Sequence, residues 1–179
     1  MVKKEGLFKN LRIRILKMRI ILSSCKSKIR KNKKMLEEKL NIKIDIKKDR
    51  IELSGGELDE FVAEKVFEAL ELGFSINSAL LLVDEEYMFE TINIKDLSRK
   101  NPQVIRGRII GTHGKTIDNL EELSDCKIVL KNNTAGIIGR AEDIERAMQA
   151  LTSLIKGSKQ SNVYHYLERL RKKKKFSKI

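Results

Sequence analysis

The chain is short of the residues from which many active sites are built. Its 179 residues include two cysteines and two histidines. Cys25 and Cys126 lie too far apart for a C-x-x-C pair and have no histidine cluster beside them, which argues against both a disulfide framework and a metal site. Both read as small apolar residues. His113 and His165 sit in different stretches, and no nucleophile, base and orienting group share a motif, so a hydrolase gains no support. A protein that is not an enzyme and carries no cofactor or metal is the expectation. The longest uncharged run, Leu72 to Val83, falls well short of the roughly 20 apolar residues a membrane span requires. Arg12, Arg14, Lys17 and Arg19 break up any signal-peptide apolar region. A soluble, cytoplasmic protein is therefore expected. Glycine is also missing over a long stretch, with none between Gly6 and Gly55.

What the chain does have is positive charge, a net +13, and its placement says more than its size. Residues 1–34 hold 13 Lys and Arg against Glu5, and residues 164–179 hold seven against Glu168, which leaves the middle of the chain at −5. Basic ends on an acidic middle suit a polyanion, because each phosphate neutralised releases condensed counterions. RNA, DNA and anionic lipid fit this pattern alike. Lys172 to Lys175 read equally well as a solvated tail.

Taken in order, Arg12 to Ile15 alternates basic and apolar residues as a half-buried strand does, and a short apolar segment, Ile20 to Leu22, follows. Met35, Leu36 and Leu40 are spaced for a helix over 31–40. Ile42, Ile44 and Ile46 alternate as a strand, Arg50 to Ser54 gives another, and Gly55-Gly56 turns the chain. Ala63, Val66, Phe67 and Leu70 then recur at helical spacing until Gly73.

The second half repeats this order at a fixed offset of 84 residues. Leu36-Glu37-Glu38 falls on Leu120-Glu121-Glu122, Lys43-Ile44 on Lys127-Ile128, Ala63 on Ala147, and Gly73 on Gly157, with no gap. The reading is a duplicated α+β unit, with domains at 1–84, including a linking helix, and 85–179, including a C-terminal helix and basic tail. In the second copy Tyr87 to Ile94 is a candidate strand, and Val104 to Ile110 and Lys115 to Ser124 are candidate helices. The alternation from Cys126 to Lys131 and the return Ala135 to Ile138 give two strands around an Asn132-Asn133 turn. Ile144, Ala147, Met148, Leu151 and Ile155 line a last helix.

Between the two helices of the second copy lies Gly111-Thr112-His113-Gly114. Glycines at both ends of a tight turn remove the Cβ atoms that would hold another backbone away. The helix that starts at Lys115 points its unpaired N–H groups and positive dipole end at the turn, which favours an anion such as phosphate. Gly114-Lys115-Thr116 also looks like the end of a P-loop. A Walker A motif needs glycine where Ile109 stands and a preceding strand, so a nucleoside-triphosphate site is rejected. Thr112 and His113 read as exposed turn residues. At the same offset the turn projects onto Ser27, Lys28, Ile29 and Arg30, so the first copy lacks the glycines.

The helix, Gly-x-x-Gly turn and helix resemble the nucleic-acid-binding loop of K homology (KH) domains, which clamp about four nucleotides of a single strand. The strand, helix, loop, helix, strand, strand, helix order is the eukaryotic, type I arrangement. Gly73 to Ile94 and Ser161 to Glu168, taken with the degenerate-then-intact pair, look like the small-subunit ribosome assembly factors of the Partner of NOB and Krr-like family in its archaeal form. The resemblance implies an α+β protein of two tandem type I KH domains, each a three-stranded sheet packed on three helices, the first without a Gly-x-x-Gly loop. Archaeal members commonly keep the loop in both units, and its loss here removes the usual clamp from the first.

The resemblance further implies binding of the 3′ region of small-subunit ribosomal RNA during assembly and pre-rRNA processing. The partners it implies are a NOB-type endonuclease and the alpha subunit of translation initiation factor two. On this reading the amides of Gly111, Thr112, His113 and Gly114 hold phosphates, with charge from Lys115, Arg106 and Arg108. Ile109, Ile110, Ile117 and the strand residues Lys127, Ile128 and Val129 shape a groove for bases. Core packing is the competing role for Ile117 and Ile128. The competing function is a protein-interaction scaffold on the pre-ribosomal particle with non-specific polyanion binding.

Overall fold

The structure is a computed structural model that describes residues 18–20, 25–48 and 50–176. The expected strand at Arg12 to Ile15 lies outside these residues. Contacts divide the chain into two compact units, one ending at Glu71 and the other beginning at Leu72.

The first unit contains β1 (Met18–Ile20), α1 (Lys26–Lys31), α2 (Lys33–Leu40), β2 (Ile42–Ile46), β3 (Ile51–Gly55) and α3 (Glu57–Leu72). Its antiparallel sheet has the order β1-β3-β2. Ile42 and Ile44 on β2, Ile29 and Leu36 on the short helices, and Ala63, Val66, Phe67 and Leu70 on α3 are all buried, which is the arrangement that the period-two and period-3.6 spacings demand.

The second unit opens with a connecting segment holding α4 (Ile76–Ala79) and a 3₁₀ turn, Leu80–Val83. It continues through β4 (Tyr87–Asn93), α5 (Ile94–Leu97), α6 (Pro102–Ile110), α7 (Lys115–Ser124), β5 (Lys127–Lys131), β6 (Thr134–Arg140), α8 (Ala141–Lys156) and α9 (Gln160–Phe176). Its antiparallel sheet has the order β4-β6-β5. The segment that sequence assigned to the first domain as far as residue 84 packs with this sheet. The rings of Phe74 and Phe89 meet edge-on at 6.0 Å, and a Cβ on Gly136 would stand 2.2 Å from Leu72 and 2.9 Å from Phe74. The glycine is what lets the segment lie on the sheet.

Backbone details recur at the 84-residue spacing. Ile44 pairs with Leu53, and Ile128 with Ile137. Glu37 Oε1 accepts a hydrogen bond from Ile44 N at 2.8 Å, and Glu121 Oε1 accepts one from Ile128 N at 2.7 Å. Asn41 and Asp125 end their helices in the left-handed region, and Gly73 and Gly157 follow the long helices at φ 117° and 114°. The spacing breaks upstream. Met18 opposes Leu53 and Glu90 opposes Ile137, so the first strands stand 72 residues apart. The projection of the turn onto Ser27 to Arg30 is therefore corrected: those four residues are helical, Ile29 is buried, and α1 and α2 join through Asn32 alone.

The basic C-terminus is also more ordered than a solvated tail. Val163 and Leu167 bury α9 against the core of the second unit, at roughly 1.5–3 kcal/mol for each large side chain. Lys174 Nζ donates to both oxygens of the buried Asp143, at 2.6 and 2.7 Å. Arg171 lies 3.7 Å from both Glu122 and Asp125.

In the first unit Glu52 is 4% exposed, with Lys47 Nζ at 2.7 Å and Arg50 Nε at 2.9 Å. Hydrogen bonds from Lys47 first and Arg50 second hold its pKa down at about 2, against an ordinary 4.5. A lowered folded-state pKa stabilises above the unfolded value and is lost as pH falls through the folded one. Glu52→Gln should lower the melting temperature near neutral pH by an amount that is constant above about 4.5 and vanishes near pH 2. A gap that persists undiminished at pH 2 would contradict this account.

Candidate nucleic-acid interface

The turn in the second unit is built by ordinary helix-end chemistry. Asn101 Oδ1 caps α6 by accepting from Gln103 N at 2.9 Å, and Pro102 fills the first helical position, where a missing N–H costs nothing. The helix ends where Gly111 N donates to Gly107 O at 2.8 Å. Gly111 takes φ 74°, His113 φ 54° and Gly114 φ 81°, after which α7 begins. Thr112, His113 and Lys115 are exposed, and the two glycines are half-buried.

The glycines serve different ends. A Cβ on Gly111 would lie 2.0 Å from Thr116 Oγ1 and 2.9 Å from Thr116 N, so this glycine allows the turn to close on its own helix. A Cβ on Gly114 would meet only Asp118 Oδ2, at 3.8 Å, and otherwise points into open space. Room for an approaching backbone is therefore found at Gly114, beside the N-terminus of α7.

Behind the turn lies a junction that the sequence reading missed. Gln160 Nε2, at the start of α9, donates to Thr116 Oγ1 at 2.9 Å and to Arg108 O at 3.1 Å. Arg108 answers with its guanidinium, donating to Gly157 O at 3.1 Å and to Ser158 O. The end of α6, the start of α7 and the corner at 157–160 are thus tied together by side chains. A glutamine in a polar stretch carries no periodic signal.

The expected site residues divide accordingly. Gly111, Thr112, His113, Gly114 and Lys115 form the turn, with Ile110 and Ile117 half-buried at its flanks. Arg108 is engaged with the corner. Arg106 is half-buried and its Nε makes no hydrogen bond. Ile109 and Ile128 lie in the core. Val129 falls on the opposite sheet face from Ile128, 3.4 Å from where a Cβ on Gly73 would stand. Lys127 is exposed and pairs with Glu121 at 3.3 Å.

A three-stranded antiparallel sheet behind a helix, glycine turn and helix defines a KH-type α+β protein. The model for the second KH domain of PNO1, a eukaryotic-type (type I) KH domain, matches residues 88–172. A KH domain-containing protein of Methanocaldococcus jannaschii is 31% identical over 149 residues, covering 79% of this chain and 66% of the relative. The pre-rRNA-processing protein PNO1 of Coccidioides immitis is 35% identical over 136 residues, covering 70% and 53%. A chain of the a/eIF2alpha-aDim2p-rRNA complex from Pyrococcus horikoshii superposes with a TM-score of 0.78 at 29% identity, covering 88% of this chain and 94% of that one. The protein belongs to the PNO1-type family of KH-domain proteins. It spans 66% of the archaeal relative and about half the length of the eukaryotic one.

The two glycines should separate in a stability measurement. Gly111→Ala combines a positive φ with a 2.0 Å clash and is expected to cost about 2–4 kcal/mol. Gly114→Asp should cost about 1 kcal/mol, since its side chain enters open space. Denaturant titrations showing equal losses would refute the division of roles.

Proposed function

We propose that this protein binds single-stranded RNA through the turn Gly111–Gly114, and that its RNA is the 3′ region of small-subunit ribosomal RNA during ribosome assembly and pre-rRNA processing. The observation that carries the reading is the open Cβ direction of Gly114 beside the N-terminus of a ten-residue helix. In the mechanism, phosphates lie against the amides of Thr112 and His113 and the first turn of α7, where the helix dipole and Lys115 favour negative charge. Gly111 N is held by Gly107 O, and Gly114 N by a longer bond to Gly111 O. Ile110 and Ile117 offer apolar contact to bases, and base edges supply selectivity. The protein acts in the cytoplasm by holding or presenting RNA and cuts nothing.

On this proposal both units are type I KH domains, and the first has exchanged the phosphate loop for a direct α1–α2 join. The names of relatives support the choice of RNA: one is a pre-rRNA-processing protein, and a structural neighbour belongs to a complex with a/eIF2alpha and rRNA. Partners of the same kinds are proposed here, the alpha subunit of initiation factor two and a NOB-type endonuclease. A scaffold role is favoured by one observation, the exposure of Leu58 (71%) and Phe61 (57%) on the acidic helix α3.

Filter binding with short RNAs of different sequence separates the two readings. The RNA-binding account predicts clear preference among sequences, affinity that falls steeply with salt, and a loss of at least about tenfold in Gly114→Asp, where a carboxylate faces the phosphate. Equal binding of all sequences, or an unchanged affinity in the variant, would favour the scaffold.

A further inference from the structure

We infer that the nucleic-acid surface does not end at the turn but continues over the corner at residues 157–160, so that phosphates beyond the clamped nucleotides are held by Lys100 and Lys159. This rests on the RNA-binding reading of the turn and extends it to a longer strand.

Three observations carry it. First, the corner is fixed to the turn: Gln160 reaches Thr116 Oγ1 and Arg108 O, and Arg108 reaches back to the carbonyls of Gly157 and Ser158. A strand leaving the turn on this side meets a rigid surface. Second, two stretches free of Asp and Glu, residues 97–117 and 146–167, meet there. They carry Arg99, Lys100, Arg108, Lys115, Lys156 and Lys159, all but Arg108 exposed. The ammonium of Lys100 stands 3.3 Å from where a side chain on Gly157 would begin, and Arg108 stands 3.9 Å from the same point. Third, four carboxylates of this unit are engaged away from the corner, while Asp118 stands at the turn itself, its Oδ2 3.8 Å from where a Cβ on Gly114 would be. Glu121, Glu122, Asp125 and Asp143 pair with Lys127, Arg171 and Lys174 towards the far ends of α7 and α9. Among the described residues Lys100, Lys115, Lys156 and Lys159 make no ion pair. Close positive charges without counter-charges repel one another, and a polyanion laid across them removes that repulsion while releasing counterions.

The test compares the full-length protein with Lys100→Ala/Lys159→Ala on two labelled RNAs, one of about four nucleotides, the length a KH groove clamps, and one about three times as long. The inference predicts unchanged affinity for the short RNA and a loss of about fivefold for the long one. It also predicts that the salt slope for the long RNA becomes shallower by about 1.4, two single-strand phosphate contacts at about 0.7 each. Equal weakening for both lengths, or none for either, overturns it. Lys39→Ala/Lys43→Ala removes the same charge from the first unit, and an equal fall in slope there would assign the effect to net charge and overturn the corner. If the wild type binds neither RNA, the reading of the turn fails together with this extension. That outcome differs from a wild type that binds but shows no length dependence.

Discussion

The second unit depends on the space that Gly111 leaves. Because no side chain stands there, Thr116 can fold back against the turn with its hydroxyl 2.0 Å from where a Cβ would be. That hydroxyl becomes the acceptor for Gln160. Without this approach Gln160 would lose one of its two partners, and α7 would lose its side-chain tie to the start of α9. The open side of Gly114 is a consequence: the turn is packed on the inner glycine and bare on the outer one. Electrostatics follows the same geometry: among the described residues, the cations at the end of α9 nearest the turn make no ion pair, and those at the other end do.

Much of this architecture is legible in the amino-acid sequence. The bounds of α7 at Lys115 and Ser124, the alternation in β5 and the 84-residue register are local or strictly repeated patterns, and patterns of that kind are what a sequence records. The distinction between Gly111 and Gly114 is not legible there, since it depends on which side of the turn Thr116 occupies. The roles of Gln160 and Arg108 are hidden for a related reason. Their hydrogen bonds join residues 44 to 52 positions apart, and side-chain bonds to backbone carbonyls leave no periodic trace. The offset fails at Ser27 to Arg30 because the second unit inserts residues upstream of its second helix, where no apolar repeat anchors the register.

The repeat also shows what the fold requires and what it leaves free. Glu37 and Glu121 each brace the N–H of the following strand, and Asn41 and Asp125 each turn the chain out of a helix. These belong to the architecture. At the outer positions of the long helices the units diverge, with Leu58 and Phe61 on α3 where α8 carries Glu142 and Glu145. At these positions α3 displays apolar surface and α8 displays charge.

The central claim is that main-chain N–H groups of a bare turn hold the phosphates of a single strand. It is tested most directly by following backbone amide resonances while a single-stranded RNA is titrated into the protein. The account predicts that the largest shifts fall on Gly111 to Ile117, with the amides of Thr112 and His113 among them. Shifts confined to lysine-rich helices, with the amides of the turn unmoved at saturation, would contradict it.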